Sequence, residues 1–332
     1  MPSSKPNVLV MGPLPVIKNN PDCGLILHRY WEETDKDEFL KKHGGYIRGV
    51  ATSGTIGISS SLLCKLPNVE IISNFGVGYE QVDIPAALRR GIIVTNTPDV
   101  LTEEVADLAM GLLIGTLRRL PQATRFVREG KWKTGAFPLS PSLRGRIVGI
   151  VGLGRIGKAI ARRLEASKVK VAYHGRNRQP DVPIPFYPTI LELAQAVDTL
   201  ILSAPGGRET RQIINANVLS ALGANGVVIN VSRGSLVDEA ALAAALENHT
   251  ILAAGLDVFA DEPNVPVALL ANDHVVCLPH VGSASVRTHD AMGQLVLENL
   301  LSWFKGEGPL SPVPETPWPS NDIARMLSAP PQ

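Results

Sequence analysis

Short runs of apolar, largely β-branched residues recur along the chain. "PNVLVMG" (6–12), "IRGVATS" (47–53), "VEIISNFG" (69–76) and "GIIVTNTP" (91–98) have the pattern of strands buried on both faces. Between them lie segments of helical periodicity, such as "DKDEFLKKHG" and "DIPAALRRG". Strand alternating with helix predicts crossover units and a parallel sheet covered on both sides.

The alternation then restarts. A long helical stretch, "TEEVADLAMGLLIGTLRRLPQATRFVREGKW", has Thr102 at the expected N-cap and Glu103 and Glu104 in its first turn. After it, "RIVGIVGLG", "KVKVAYHG", "DTLILSAP", "GVVINVS", "ILAAGLDVF" and "HVVCLPH" read as strands with helices between them. "SASVRTHDAMGQLVLENLLSWFKG" predicts one long amphipathic helix, and the proline-rich "PLSPVPETPWPS" an extended tail. The expected class is α/β, with two parallel-sheet units in series.

Composition narrows the range of partners. The 332 residues are enough for two domains of ordinary size. Basic and acidic side chains number 32 and 31, which gives no electrostatic footprint for nucleic acid or an acidic membrane surface. A small-molecule partner is expected. Cys23, Cys64 and Cys277 form no C-x-x-C pair, which suits a reducing compartment. The N-terminal apolar run is too short for a signal peptide, and no stretch approaches the ~18–20 apolar residues of a membrane span. A cytoplasmic protein without membrane contact is expected. The histidines lack metal-ligand spacing, so no metal is expected.

"VGLGRIGKAI" (151–160) follows a predicted strand and opens a predicted helix, the context in which G-x-G-x-x-G carries meaning. Gly152 permits a tight turn, Gly154 lets backbone N–H groups approach a pyrophosphate, and Gly157 lets helix pack on strand. Leu153, Arg155 and Ile156 complete the turn, and the helix N-terminus favours phosphate. An acid near the end of the next strand would bind the ribose 2′-hydroxyl of NAD. Gly175, Arg176, Asn177 and Arg178 stand there instead, and a guanidinium fits a 2′-phosphate. NADP(H) is the expected cofactor, with NAD(H) used at lower efficiency.

Hydride transfer to a keto group needs a cation to orient the substrate and an acid to protonate the new alkoxide. Arg233, Glu262 and His280 each fall just past a predicted strand, where α/β sheets bind ligands. Singly they read as a helix-start surface residue, a loop charge and a core histidine. Three at successive strand ends after a cofactor turn point to a site.

These residues carry a resemblance. "SNFGVGYEQVD" (73–83), "VGLGRIGKAIARRL" (151–164), "INVSRGSLVDEAAL" (229–242), "AAGLDVFADEP" (253–263) and "LPHVGSAS" (278–285) resemble the D-isomer-specific 2-hydroxyacid dehydrogenases over nearly the whole chain. Within that family the chain looks most like the glyoxylate/hydroxypyruvate reductases. The resemblance implies two Rossmann-like domains with the active site in the cleft between them. One is a discontinuous, flavodoxin-like substrate domain, 1–99 plus 285–332; the other is the cofactor domain, 100–284, with a dimerisation helix. It implies NADPH-dependent reduction of small 2-keto acids to D-2-hydroxy acids by a homodimer. Arg233 binds the carboxylate and keto oxygen, His280 is the general acid/base, and Glu262 pairs with it. Val77 and Gly78 receive the carboxylate, and Trp132 shapes the substrate pocket. Asp257 holds the nicotinamide amide, while Thr102, Ala204, Pro205, Thr210, Val231, Ser232, Gly282 and Ser283 line the cofactor. Two rival readings share these motifs: a non-enzymatic NAD(P)-sensing protein like the co-repressors of this fold, and a formate- or phosphite-type dehydrogenase.

Overall fold

The computed structural model describes residues 5–14 and 23–318. The described residues form two compact units, one from those within Met1–Leu101 and Ser285–Gln332 and the other from Thr102–Ala284.

The first unit is built on five parallel strands: β1 (Asn7–Val10), β2 (Ile26–Arg29), β3 (Ile47–Ser53), β4 (Ile71–Phe75) and β5 (Ile93–Thr95). Their order is β2-β1-β3-β4-β5, the flavodoxin-like winding. Successive side chains of a strand point to opposite faces, and the core divides accordingly. Leu9, Val50 and Ile72 pack with Phe39, Leu40 and Leu63 on one side. Val8, Val10, Ala51 and Ile71 pack on the other against Val296, Leu297 and Leu300 of the helix Val286–Phe304. That helix starts at Ser285, whose side chain accepts the Thr288 N–H. The proline-rich segment after it, expected as an extended tail, instead folds through a turn closed by the Thr316 N–H on the Val313 carbonyl at 3.0 Å, and it is docked. Pro312 bridges Thr95, the Val313 N–H donates to the Val94 carbonyl at 2.9 Å, and Val313 and Thr316 are buried. The end of this segment, from residue 319, lies outside the described residues.

The second unit carries seven parallel strands: β6 (Ile147–Val151), β7 (Lys170–His174), β8 (Phe186–Tyr187), β9 (Thr199–Leu202), β10 (Val227–Asn230), β11 (Ala253–Leu256) and β12 (Val275–Cys277). The order β12-β11-β10-β9-β6-β7-β8 reverses between β6 and β9, so their carboxyl ends flank the switch point where such sheets bind ligands. β9, β10 and β11 are wholly buried, as strands covered by helices on both faces must be. At the opposite end of the sheet, the Arg146 guanidinium reaches Asp198, the Thr199 hydroxyl and the Asn225 carbonyl, tying together the starts of β6, β9 and β10.

Two readings of the sequence need correction here. Thr102 is the first residue of the helix Thr102–Leu117 rather than a residue flanking it. The long helical stretch is also not continuous. Arg119 adopts φ +52° and a second helix, Leu120–Arg128, begins there, because Pro121 lacks the N–H an uninterrupted helix needs and fits only a first turn. Among the described residues no helix is long and apolar enough to cross a membrane.

Candidate active site

The glycine turn lies where β6 ends. Gly152 has φ +94°, and a Cβ on it would stand 2.6 Å from the Ala204 Cα at the end of β9, so no side chain fits. A Cβ on Gly157 would lie 2.2 Å from the Gly152 carbonyl oxygen, which is why helix and turn pack so closely. Gly154 differs from both, since a Cβ there would meet nothing within 4 Å. Its open side is the N-terminus of the helix Arg155–Ala166, where no side chain caps the first N–H groups. That combination of open backbone and helix N-terminus fits a dinucleotide pyrophosphate. Leu153 is buried and contributes its backbone to the turn, whereas Arg155 is exposed beside it and Ile156 is half-buried.

Arg176, Asn177 and Arg178 are exposed after β7, and Gly175 faces open space. The loop is anchored by Gln179, whose N–H donates to the Tyr173 hydroxyl at 2.7 Å and whose Nε2 donates to the Leu153 carbonyl at 2.8 Å. At the end of β9, Ala204 is buried, Pro205 is exposed, and the Thr210 hydroxyl closes the turn onto the Pro205 carbonyl at 2.8 Å. Ser203 donates to the Gly152 carbonyl at 2.7 Å. Thr102 opens a helix that Glu103 and Asp107 fasten to Arg162 and Arg163 of the helix Arg155–Ala166.

The trio stands at the ends of β10, β11 and β12. Arg233 follows the buried residues Val231 and Ser232, and Asn230 accepts the Ser232 N–H while donating to the Arg233 carbonyl at 2.9 Å. The Ser232 hydroxyl bonds the Ala204 carbonyl, joining this loop to the end of β9. Glu262 accepts the Phe259 N–H on Oε1 at 3.0 Å and meets His280 Nδ1 on Oε2 at 2.7 Å. Burial raises the Glu262 carboxyl, but the His280 ring, the Phe259 N–H and the charge of Arg233 outweigh it and hold the group below its ordinary value. Arg233, Glu262 and His280 therefore share one electrostatic neighbourhood.

Asp257 is 1% exposed. Its two oxygens accept the Val281 and Gly282 N–H groups, each at 2.8 Å, and its carbonyl accepts the His280 N–H at 2.8 Å. Burial pushes its carboxyl upward against those two bonds. Gly282 is buried against Asp257, and Ser283 follows it half-buried.

The other predicted substrate residues lie apart in the chain. Val77 and Gly78 follow β4 in the first unit. The neighbouring Tyr79 hydroxyl donates to Glu315 at 3.0 Å, and burial together with that carboxylate pushes the phenol up to about 12. Trp132, in the second unit, is 69% exposed. Reading the sequence did not single out Asn230, Ser203, Gln179 or the asparagines flanking the Val77 loop. Asn74 and Asn230 sit inside quoted motifs without standing out in them, and Asn96, Ser203 and Gln179 are single polar residues with no spaced partner. Only position at or near the carboxyl end of a strand marks them.

Residues 110–282 match the family model described as D-isomer specific 2-hydroxyacid dehydrogenase, NAD binding domain. Glyoxylate/hydroxypyruvate reductase A of Arabidopsis thaliana is 46% identical over 307 residues, spanning 92% of this chain and 98% of that protein. Hydroxyphenylpyruvate reductase of Plectranthus scutellarioides is 43% identical over the same shares of the two chains. The crystal structure of an NADPH-dependent glyoxylate/hydroxypyruvate reductase from Sinorhizobium meliloti, in complex with NADP and malonate, superposes with a TM-score of 0.90 at 53% identity, covering 95% of this chain and 98% of that one.

Proposed function

Because the chain belongs to the D-isomer-specific 2-hydroxyacid dehydrogenase family, we propose that it is an NADPH-dependent reductase of small 2-keto acids, with glyoxylate and hydroxypyruvate as its substrate class. The observation that carries this reading is the Glu262–His280 pair, 2.7 Å apart, in the same electrostatic neighbourhood as Arg233 and past the ends of successive strands. Its support in coenzyme chemistry is the basic Gly175–Arg178 loop, together with relatives named as glyoxylate/hydroxypyruvate reductases and a related structure holding NADP.

The roles follow from the chemistry of each side chain. Arg233 presents a planar fork to the substrate's carboxylate and keto oxygen. Glu262 accepts from Nδ1 of His280 and so leaves Nε2 to protonate the alkoxide as it forms. Asp257 fixes the residues after His280 and holds the nicotinamide amide. The bound coenzyme supplies the hydride. The Gly152–Gly157 turn would hold the pyrophosphate, Arg176 and Arg178 with Gly175 and Asn177 the 2′-phosphate, and Thr102, Ala204, Pro205, Thr210, Val231, Ser232, Gly282 and Ser283 the remaining surface. Val77 and Gly78 offer backbone N–H groups to the substrate carboxylate, and Trp132 borders the substrate. Free Cys23, Cys64 and Cys277 fit a reducing compartment, and the cytoplasm is the proposed location.

The test is loss of NADPH absorbance on addition of glyoxylate or hydroxypyruvate, in the parent and in His280→Ala. The parent turns over, while the variant keeps its coenzyme affinity and loses about 10²-fold or more in kcat, the scale of a missing general acid. A variant within a few-fold of the parent removes His280 from this role.

A further inference from the structure

In the loop after β4, three consecutive carbonyls are drawn to the same two side chains. The Gly76 carbonyl accepts Asn74 Nδ2 at 3.2 Å and the Thr97 N–H at 3.0 Å. The Val77 carbonyl accepts Asn96 Nδ2 at 2.8 Å, and the Gly78 carbonyl accepts Asn74 Nδ2 at 3.0 Å. Strand register explains why both amides are there. β4 and β5 pair Ser73 with Thr95, so Asn74 and Asn96 stand one step further along adjacent strands. Asn96 is itself pinned, its N–H to the Ser311 carbonyl at 3.2 Å and its carbonyl by the Ser311 hydroxyl at 2.7 Å.

A trans peptide sets each N–H opposite the carbonyl of the same plane. Holding the carbonyls of residues 76, 77 and 78 toward the asparagines therefore aims the N–H groups of Val77, Gly78 and Tyr79 the other way. Among the described residues, the Val77 and Gly78 N–H groups have no protein acceptor. Gly76 makes the turn possible at φ +134°, where L side chains rarely go. Asn74 is 0% exposed, and its Oδ1 has no hydrogen-bond partner. Keeping half an amide unsatisfied in the core is costly, and what the residue provides in return is its pair of bonds to this loop. Successive backbone N–H groups held open in this way form an anion-binding nest.

We propose that Asn74 and Asn96 are positioning residues that aim the Val77 and Gly78 N–H groups at the carboxylate of the 2-keto acid, setting substrate affinity without touching the reacting atoms. The proposal rests on the keto-acid reading above. Its test is Asn96→Asp, a substitution of the same shape at a half-exposed site that replaces the donor facing the Val77 carbonyl with an acceptor. Asn96→Ala, which only removes the donor, is measured beside it. The readouts are KM for glyoxylate, the inhibition constant of malonate (two carboxylates and no keto group), kcat at saturating glyoxylate, and NADPH affinity by fluorescence titration. Both constants should rise together on the order of tenfold in Asn96→Asp, the equivalent of about 1.4 kcal/mol, and less in Asn96→Ala, while kcat and NADPH affinity keep the parent values. Unchanged constants, or a fall in kcat and NADPH affinity alongside them, would overturn the proposal. A parent that reduces no 2-keto acid would instead bring down the proposed function. Malonate binding by calorimetry in parent and variant would still decide the role of Asn96.

Discussion

His280 holds φ +53°, a backbone region that non-glycine residues seldom occupy and that the surroundings must over-determine. They do so from three directions: the Asp257 carbonyl takes its N–H, the Asp257 carboxylate fixes Val281 and Gly282, and Glu262 meets the ring. Glu262 is accordingly a stability group. Its folded-state carboxyl lies below its ordinary value, so its bonds stabilise the fold above the ordinary glutamate range and are lost as pH falls through the lowered value. The parent should melt a few degrees above Glu262→Gln near neutrality, with the gap closing in acid. A gap that stays constant across that pH range in thermal melts would contradict the assignment. The trio was legible in the sequence because each member stands in a patterned motif just past a recognisable strand. Asn96 and Gln179 were not, because a side chain that bonds a distant carbonyl leaves no local pattern. Nor was Asn74, because its bonds to Gly76 and Gly78 depend on a turn the residue types alone do not specify.

Strands were the most legible elements, since a strand buried on both faces must be a continuous apolar run. The two that escaped, β2 and β8, are the sheet-edge strands "ILHR" and "FY", whose half-exposed residues need no such run. The helical stretch after Thr102 was recognised by periodicity, but its break at Arg119 was not, although Pro121 announces it. This pair of helices leaves Ile114, Leu120 and Val127 exposed, and Leu139 follows them fully exposed. Large apolar side chains left exposed along one stretch of a folded chain suit an association surface, and we propose that a second copy of the chain covers them. Leu120 and Val127 are 50% and 54% exposed, so changing both to Glu should leave the fold intact and shift the mass from dimer to monomer. Light scattering decides this, and a parent that is already monomeric would refute the dimer.

At the scale of the whole molecule the chain repeats one architectural idea twice, and the two winding orders distinguish the copies. The order of the second sheet puts the glycine turn and Ala204 together at a switch point, where Gly152 admits no side chain. The first sheet, wound in the other order, ends in the Val77–Gly78 loop and its asparagines. Coenzyme choice is where the residues speak most directly to NADPH-dependent reduction of a 2-keto acid. Gly175 removes the carboxylate that would hold a ribose hydroxyl and repel a 2′-phosphate, and Arg176 and Arg178 stand exposed beside it. A charge-assisted bond is worth about 1.5–3 kcal/mol and each 1.4 kcal/mol is about tenfold. The decisive measurement is kcat/KM for glyoxylate with NADPH and with NADH, in the parent and in Gly175→Asp combined with Arg176→Ala. The parent should prefer NADPH by on the order of ten- to a hundredfold, and the double variant should reverse that preference. A parent that prefers NADH, or that oxidises neither coenzyme in the presence of a 2-keto acid, would contradict it.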